Sequence, residues 1–206
     1  MNAILLGYSG HGIVIAEAAI EMGVKIIGYC DNNSKTNNLF NLKYLNSENS
    51  KSYDWKICKS YILGLGSNEL RQKLFEKVKK NNSNNVTVIH PKSSISKYIN
   101  VGEGTFIARN VTVNPNVTIG NACILNTSVS VDHDCVLEDF VHIAPGVVLA
   151  GNVKVGTGAF IGANSVVKEG VKIGKNAIIG AGSVVLKDVK SGNTVYGNPA
   201  KNIIND

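Results

Sequence analysis

The chain has 206 residues, of which 44% are hydrophobic and 17% charged, so its composition excludes a disordered protein. No run of about 18 apolar residues occurs, which excludes a transmembrane helix of ordinary length. The formal charge is +6, compatible with a solvated surface or with attraction of an anionic ligand. Nucleic acid is not an expected partner, because the basic cluster at residues 77–80 is short and suits the end of a helix.

The expected compartment is the cytoplasm. The first residues carry no basic segment ahead of their apolar run and are broken by glycines, so we expect no signal peptide. The four cysteines form no close pairs and therefore no disulfide framework. Cys123 and Cys135 are expected in the core, and no set of residues has the spacing of a zinc site, so we expect no metal.

Residues 1–90 predict a small α/β domain with a parallel sheet, because short apolar runs alternate with amphipathic segments. Asn68 is a plausible cap for the second of two helices. Residues 32–49 are polar and rich in asparagine and predict a loop. Strands are predicted over residues 3–7, 25–29, 60–65 and 86–89, and helices over residues 13–22 and 68–80.

Residues 91–190 repeat with a period of six. From Ile95 to Val185, sixteen consecutive positions six residues apart are Ile, Val or Leu, and a small or β-branched residue usually follows four positions later. Each hexad supplies one short strand and a turn, so three hexads close a coil of about 18 residues that stacks at about 4.8 Å. Glycine directly after several anchors is expected to relieve a turn with positive φ. The pattern predicts a hexapeptide parallel β-helix, and residues 191–206 form a tail.

A glycine-rich loop at residues 7–12 lies between the first predicted strand and helix, where backbone N–H groups can meet an anion. Its spacing is G-x-x-G-x-G and differs from the dinucleotide fingerprint. Asp31 ends the second strand, where an acidic residue could reach a ribose or a base. Gly66 follows the third strand, and the three strand ends should share one crevice. A bound nucleotide is the favoured interpretation, and a tight turn without ligand is the alternative.

Two of the four histidines, His133 and His142, stand in the hexads away from the inward positions. His133 lies between Asp132 and Asp134, and flanking carboxylates raise the basicity of an imidazole and fix its tautomer. It is therefore a candidate general base. The two histidines are nine positions apart, which places them on different sides of one prism. They could share a site only across an interface between prisms, as in a trimer; two exposed surface histidines are the alternative. His90, at the domain boundary, is expected to be structural.

These features together resemble the bacterial nucleotide-sugar N-acetyltransferases, which include the bacillosamine-pathway UDP-4-amino-sugar and GDP-perosamine enzymes and have sialic-acid O-acetyltransferases as relatives. The resemblance rests on the loop at residues 7–12, Asp31, the hexads, the segment 130–135 and the segment 197–201. It covers nearly the whole chain. It implies a Rossmann-like domain followed by a left-handed parallel β-helix, and a homotrimer with acetyl-CoA bound between neighbouring β-helices and no metal.

The resemblance also implies roles for individual residues. His133 matches the catalytic base and Asp134 the acid that raises its basicity, where some relatives carry glutamate. The substrate nucleotide would be held by residues of the α/β domain, namely Ser9, Gly10, His11, Asp31, Asn32 and Gly66. Acetyl-CoA would be held by residues of the β-helix, namely His142, Gly151, Ala163, Gly180, Ala181 and Gly182. Asn32 stands where the family has a second acidic residue, which leaves the base preference open.

The expected reaction is acetylation of a nucleotide-linked 4-amino-4,6-dideoxy sugar, with UDP as the expected nucleotide, for bacterial glycan, lipopolysaccharide or capsule synthesis. O-acetylation of a sialic-acid-like sugar is the close alternative, because relatives of both kinds keep the α/β domain. A non-catalytic β-helix scaffold is the alternative from another class. A nicotinamide dehydrogenase is disfavoured, since the α/β part is too short for a full dinucleotide-binding domain.

Overall fold

The computed structural model describes residues 1–202; residues 203–206, the end of the predicted tail, lie outside the described residues. The chain begins with a four-stranded parallel sheet in the order β2-β1-β3-β4, flanked by two helices. None of the described helices is both long and apolar enough to cross a membrane. The elements are β1 (Asn2–Leu6), α1 (Gly10–Glu21), β2 (Lys25–Cys30), a 3₁₀ turn (Trp55–Ile57), β3 (Ser60–Leu63), α2 (Asn68–Lys80) and β4 (Asn84–Asn85).

The predicted helices are confirmed, with two local differences. Helix α1 begins at Gly10 rather than at residue 13, because the glycine-rich loop itself supplies the first turn. Helix α2 is capped by Ser67, whose Oγ accepts a hydrogen bond from the Leu70 N–H, and not by Asn68. The Asn68 side chain instead lies in the contact with the second domain, where its Nδ2 donates to the Gly158 carbonyl at 2.8 Å.

The rest of the chain is a parallel β-helix of about six turns, which confirms the predicted fold class. Three sheets form its faces. The six-strand face contains Ser94–Ile95, Thr112–Val113, Ser130–Val131, Val148–Leu149, Val166–Val167 and Val184–Val185. The five-strand face contains Asn100–Val101, Thr118–Ile119, Val136–Leu137, Lys154–Val155 and Lys172–Ile173. The eight-strand face contains Val88–Ile89, Phe106–Ile107, Ile124–Leu125, His142–Ile143, Phe160–Ile161, Ile178–Ile179, Thr194–Tyr196 and Lys201–Asn202.

The register of the β-helix confirms the period of the sequence. Ser130 pairs with Val148, and Val148 pairs with Val166, so stacked residues are 18 positions apart. Every predicted anchor is the second residue of a two-residue strand. The small residues four positions later also point inward, and Cys123 and Cys135 are fully buried, as predicted.

The boundary between the domains differs from the prediction. The strand expected over residues 86–89 is divided: Asn84–Asn85 completes the α/β sheet, whereas Val88–Ile89 pairs with Phe106–Ile107 and opens the β-helix. At the other end, Thr194–Tyr196 of the predicted tail pairs with Ile178–Ile179. The β-helix therefore extends beyond the predicted range 91–190 at both ends, because the outermost coils bury apolar residues as the inner ones do.

The glycines that follow the anchors do not have positive φ, contrary to expectation. They leave room for the next coil: a Cβ at Gly102 would lie 2.5 Å from the carbonyl carbon of Gly120. Positive φ occurs two positions further on, at every sixth residue between Gly104 and Gly182. Those corners hold mostly glycine or asparagine, the residues that adopt left-handed backbone most readily.

The junction between the domains contains a buried arginine. Arg71 of α2 is 1% exposed and has no acidic partner among residues 1–202. Its Nε donates to the Ala122 carbonyl at 2.7 Å and one terminal nitrogen to the Phe140 carbonyl at 3.1 Å, both on the β-helix. Its remaining hydrogen bonds go to the α/β side, to the carbonyls of Leu65 and Gly66 and to Asn68 Oδ1. One guanidinium group thus joins both domains beside the crevice.

We expect Arg71→Ala to lower the free energy of unfolding by about 3 kcal/mol or more, because it leaves buried carbonyl groups without donors. The chain's other arginine, Arg109, is a matched control: it lies at the surface near Glu17 and Glu21, so Arg109→Ala should cost about 1 kcal/mol at most. Urea unfolding of both variants checks this. Equal losses for the two variants would contradict the role assigned to Arg71.

Candidate active site

The first group of candidate residues surrounds a crevice at the carboxyl ends of β1, β2 and β3. A pocket of about 270 Å³ opens there, and Gly7, Asp31, Asn32 and Leu65 line it. Strand β1 lies between β2 and β3, so the crevice is at the point where the strand order reverses, the usual ligand position in such sheets. The second half of the loop forms the first turn of α1, whose free N–H groups favour an anion.

Asp31 holds the glycine-rich loop in place. Its Oδ2 accepts a hydrogen bond from the Tyr8 N–H at 3.0 Å, and its Oδ1 accepts from the Asn32 N–H at 2.7 Å and forms an ion pair with Lys35. Burial opposes ionisation, but these hydrogen bonds lower the pKa of Asp31. Both carboxylate oxygens are therefore engaged within the chain, and Asp31 shapes the pocket in addition to lining it.

Sequence reasoning missed the opposite wall of this pocket. Glu48 and Asn49 line it from the loop predicted over residues 32–49, and Lys77 of α2 binds the Glu48 carbonyl and Asn49 Oδ1. Nothing in the spacing of these residues connects them, because a polar loop has no periodicity. Lys77 belongs to the basic cluster at the end of α2, and its contacts with residues 48 and 49 give it a second role beside the helix dipole.

His142 lies against the α/β domain of its own chain. Its Nδ1–H donates to the Gly66 carbonyl at 3.1 Å, and its ring packs edge-on against Phe160. The His11 ring lies 6.2 Å away, centroid to centroid. His142 is 9% exposed, so the alternative that it is an exposed surface histidine is wrong. The α/β domain covers it, which the repeat spacing could not reveal.

His11 and His142 are both neutral near pH 7. Burial, aided by the nearby charge of Arg71, lowers the pKa of His11 to about 4 and that of His142 to about 4. The hydrogen bond to Gly66 fixes the proton of His142 on Nδ1, so its Nε2 is an acceptor. The buried Nε2 atoms of both histidines lack a hydrogen-bond partner among residues 1–202. A buried unpaired acceptor is costly, so Nε2 of His142 suits a ligand that donates a hydrogen bond.

The second group of candidate residues lies at the corner that follows the strand Ser130–Val131. His133 Nδ1 is 2.7 Å from Asp134 Oδ2, and the His133 N–H donates to Asp132 Oδ1 at 2.8 Å. The hydrogen bond with Asp134, followed by the charge of Asp132, raises the pKa of His133. Because Nδ1 carries the shared proton, Nε2 is free to accept one, which is the arrangement that a general base requires.

Backbone geometry explains why aspartate stands at position 134. Asp134 has a φ of +61° and occupies the left-handed corner of its hexad. Aspartate and asparagine tolerate this conformation better than longer side chains do. The short side chain also reaches the neighbouring imidazole without leaving the corner.

Gly151 lies one coil from His133 and makes room for its ring. A Cβ on Gly151 would lie 2.8 Å from His133 Cε1 and 3.0 Å from Nε2. The Gly151 N–H has no acceptor among residues 1–202 and therefore remains available as a donor beside the imidazole. The missing side chain thus permits both the position of the ring and access to this N–H.

The remaining candidates lie at another corner. Ala163 and Gly182 are joined by a hydrogen bond of 2.8 Å between the Gly182 N–H and the Ala163 carbonyl, and Gly180 and Ala181 belong to the same turn. This corner follows the eight-strand face, whereas His133 and Gly151 follow the six-strand face. The candidate residues of one chain therefore lie in separate places. His11, Gly66 and His142 meet where the α/β domain packs on the β-helix, and His133, Asp134 and Gly151 lie at a corner after the six-strand face.

Glu17, Glu21 and His90 form a cluster whose ligand atoms could hold a metal ion. The Arg109 guanidinium already lies within it, 3.0 Å from Glu21 and 3.3 Å from Glu17. His90 is buried, and its Nδ1 accepts the Lys92 N–H at 3.0 Å. A cation is thus supplied by the protein itself, and the cluster is explained as an ion-pair network.

Both domains of the chain match known protein families. Residues 2–78 match the model of the PglD N-terminal domain, and residues 134–169 and 152–187 match the bacterial transferase hexapeptide model. PerB from Caulobacter crescentus, solved with CoA and GDP-perosamine, is 30% identical, with a TM-score of 0.89 over 98% of this chain and 97% of that chain. The chain belongs to the bacterial hexapeptide-repeat sugar N-acetyltransferases.

Other members of the family have the same two-domain structure. A variant of perosamine N-acetyltransferase from Caulobacter crescentus, in which asparagine replaces a histidine, is 29% identical to this chain. Its TM-score is 0.93 over 100% of this chain and 98% of that chain. The acetyltransferase domain of PglB from Neisseria gonorrhoeae, in complex with acetyl coenzyme A, is 28% identical, with a TM-score of 0.91 over 98% of each chain. No curated protein sequence gives a significant match.

For this acetyltransferase, we expect Gly151→Ala to lower kcat/KM by about 10- to 100-fold, because the added methyl group would displace the His133 ring. Folding should be little affected: Gly151 does not have the left-handed backbone that disfavours alanine, and the side chain that must move is largely exposed. Turnover and thermal unfolding of the variant check this. In a His133→Ala background the same change should have no further effect on rate, and an additional loss there would contradict the explanation.

Proposed function

We propose that this enzyme transfers an acetyl group from acetyl-CoA to the amino group of a nucleotide-linked 4-amino-4,6-dideoxy sugar, with UDP as the nucleotide. The observation that carries the proposal is the pairing of His133 with Asp134 in a chain that also holds a nucleotide-sized crevice. A non-catalytic scaffold would need neither. The product would enter bacterial glycan, lipopolysaccharide or capsule synthesis, and a cytoplasmic location fits four free cysteines.

The residues present fit acetyl-CoA as the co-substrate. Its pantetheine arm carries amide N–H groups, and the unpaired Nε2 of His142 is a neutral acceptor for one of them. At Gly182 a Cβ would meet no atom within 4 Å, so the backbone of this turn is open to an extended ligand. Related enzymes bind CoA or acetyl-CoA in their structures, which supports the assignment.

We infer that the active enzyme is a homotrimer. His133 follows the six-strand face and His142 lies on the eight-strand face of the same prism, so a neighbouring copy is needed to bring the two histidines together. The six-strand face offers a surface for this contact, since the outward side chains Val148 and Val166 are about 40% exposed and uncharged. Burying such a row against a second copy is favourable by the hydrophobic effect.

In the mechanism, the sugar amine attacks the carbonyl carbon of the thioester of acetyl-CoA. The C–S bond then breaks as the amide forms, and CoA leaves as the thiolate. His133 accepts the proton that the amine loses, at Nε2, while Asp134 holds Nδ1–H and stabilises the charged imidazole. The Gly151 N–H stabilises negative charge that develops on the carbonyl oxygen. The α/β domain holds the nucleotide so that the amine is presented to His133, and this positioning supplies much of the rate.

The choice of UDP is supported by Asn32. Its side-chain amide lines the pocket and forms no hydrogen bond within residues 1–202, so it offers one donor and one acceptor. The imide edge of uracil presents a carbonyl and an N–H that match this pair. GDP is the second candidate, because the Glu48 carboxylate in the same pocket could accept from the two N–H groups of guanine, and PerB was solved with GDP-perosamine.

An assay of thiol release from acetyl-CoA tests the reaction. We expect turnover on a UDP-linked 4-amino sugar and little on GDP- and dTDP-linked 4-amino sugars, a 3-amino sugar or a free sialic acid. Asn32→Ala should raise KM for the UDP-sugar by about 10-fold, as expected for loss of paired hydrogen bonds to the base. Turnover on the sialic acid alone would instead identify an O-acetyltransferase, and preference for the GDP-sugar would favour Glu48 as the discriminating residue.

The pH dependence of the reaction tests the base. His133 must be unprotonated to act, and Asp134 raises its pKa above the ordinary 6.5, so kcat/KM should fall as the pH drops through that raised value. Asp134→Asn keeps a residue suited to the corner but removes the charge. It should move the acid limb of the profile to lower pH and lower the rate by about 10-fold or more.

His133→Asn should abolish most of the turnover at every pH while leaving the fold intact, because the ring is exposed. Wild-type activity of this variant would rule out His133 as the base. An unchanged acid limb in Asp134→Asn would rule out Asp134 as the group that raises the histidine's pKa.

A further inference from the structure

The carboxylate that pairs with His133 is itself held by a residue from the neighbouring coil. Asn116 Nδ2 donates a hydrogen bond to Asp134 Oδ1, while Asp134 Oδ2 is 2.7 Å from His133 Nδ1. The two carboxylate oxygens are thus divided between an amide on one side and the imidazole on the other. Asn116 lies 18 residues before Asp134, which is one turn of the β-helix.

The backbone of the two corners explains why the side chains meet. Asn116 has a φ of +64° and Asp134 a φ of +61°, so both project from the same left-handed position on stacked coils. The Asn116 N–H donates to the Tyr98 carbonyl at 2.9 Å, which fixes the corner in the stack. Identical backbone geometry one coil apart directs the amide of Asn116 at the carboxylate of Asp134.

Packing sets the position of this carboxylate only in part. The side chains of His133 and Asp134 are 57% and 47% exposed, so neighbouring atoms cover only about half of each. A directional hydrogen bond is the remaining means of selecting one orientation for an exposed carboxylate. A similar bond from Asn114 Nδ2 holds Asp132 Oδ1 at 2.7 Å, but Asp132 contacts the His133 backbone rather than its ring.

We propose that Asn116 is a positioning residue for the reaction: its amide holds Asp134 so that the second carboxylate oxygen keeps His133 in the Nδ1–H tautomer with Nε2 toward the substrate. The inference rests on the proposed role of His133 as the base. It extends that role to a residue on another coil that makes no contact with the imidazole.

The charges around His133 determine how loss of the Asn116 side chain would change the pH dependence of kcat/KM. The groups that face His133 are Asp134, Asp132 and, two coils further on, Glu169, and all three favour the protonated ring. Asn116 is also the main cause of the lowered pKa of Asp134. Without its amide, Asp134 would leave the imidazole for part of the time, and the acid limb of kcat/KM would move to lower pH.

Asn116→Gly is the decisive variant, because glycine adopts positive φ without strain and only the amide is removed. We expect kcat/KM to fall by about 10-fold, mostly in kcat, with an acid limb at lower pH than in the wild type. Nitrogen chemical shifts of the His133 ring should report a smaller fraction of the Nδ1–H tautomer. Asn110→Gly is the matched control: Asn110 occupies an equivalent corner with a φ of +59°, and its side chain makes no hydrogen bond among residues 1–202.

Asn116→Asp gives a second, opposite test. It preserves the shape of the side chain and its tolerance of positive φ but replaces the donor with another negative charge. It should lower the rate as well, yet move the acid limb to higher pH, because an added negative charge favours the protonated imidazole.

The outcomes separate the two proposals. Wild-type rate, acid limb and tautomer in Asn116→Gly would overturn the role of Asn116, as would equal effects in Asn116→Gly and Asn110→Gly. Loss of thermal stability without a change in the pH profile or the tautomer would show a structural role only and would likewise overturn it. Full activity of His133→Asn would instead refute the proposed base, whatever Asn116→Gly showed.

Discussion

The 18-residue coil is the constraint on which the rest of this protein depends. A strand of two residues has no stability of its own, so its backbone groups must pair with the coils on either side. That requirement fixes the register at 18 residues, as in the pairing of Ser130 with Val148. Because the register is fixed, side chains 18 positions apart stack in rows, and the geometry of the candidate site follows from those rows.

The corner at His133 shows what such stacking makes possible. The coil on one side supplies Asn116, whose amide orients Asp134, and the coil on the other side supplies Gly151, which leaves space for the imidazole. Three successive coils thus hold one exposed histidine with little help from packing. This arrangement places a basic side chain at the surface, where a second molecule can reach it, without leaving its orientation undefined.

The surroundings shift the pKa values of the histidines in opposite directions. Burial near Arg71 keeps His11 and His142 neutral and leaves Nε2 of His142 as an acceptor, whereas two neighbouring carboxylates make His133 a stronger base. A neutral acceptor suits ligand binding, and a basic ring suits proton transfer. Arg71 joins these properties to the architecture, because the same guanidinium connects the two domains and binds the carbonyl of Gly66, which in turn orients His142.

The sequence by itself determined the fold class and the candidate base. A period of six that runs unbroken from Ile95 to Val185 predicts a β-helix. Carboxylates on both sides of His133 are a local signal that marks this histidine as the candidate base. It did not place His142, because the surface that covers this ring belongs to a domain far away in the chain. Nor did it identify Arg71, Glu48 or Asn116, since one arginine in a helix and single residues in polar turns carry no pattern. Their roles arise from contacts between distant segments, and only the tertiary structure decides which polar groups meet.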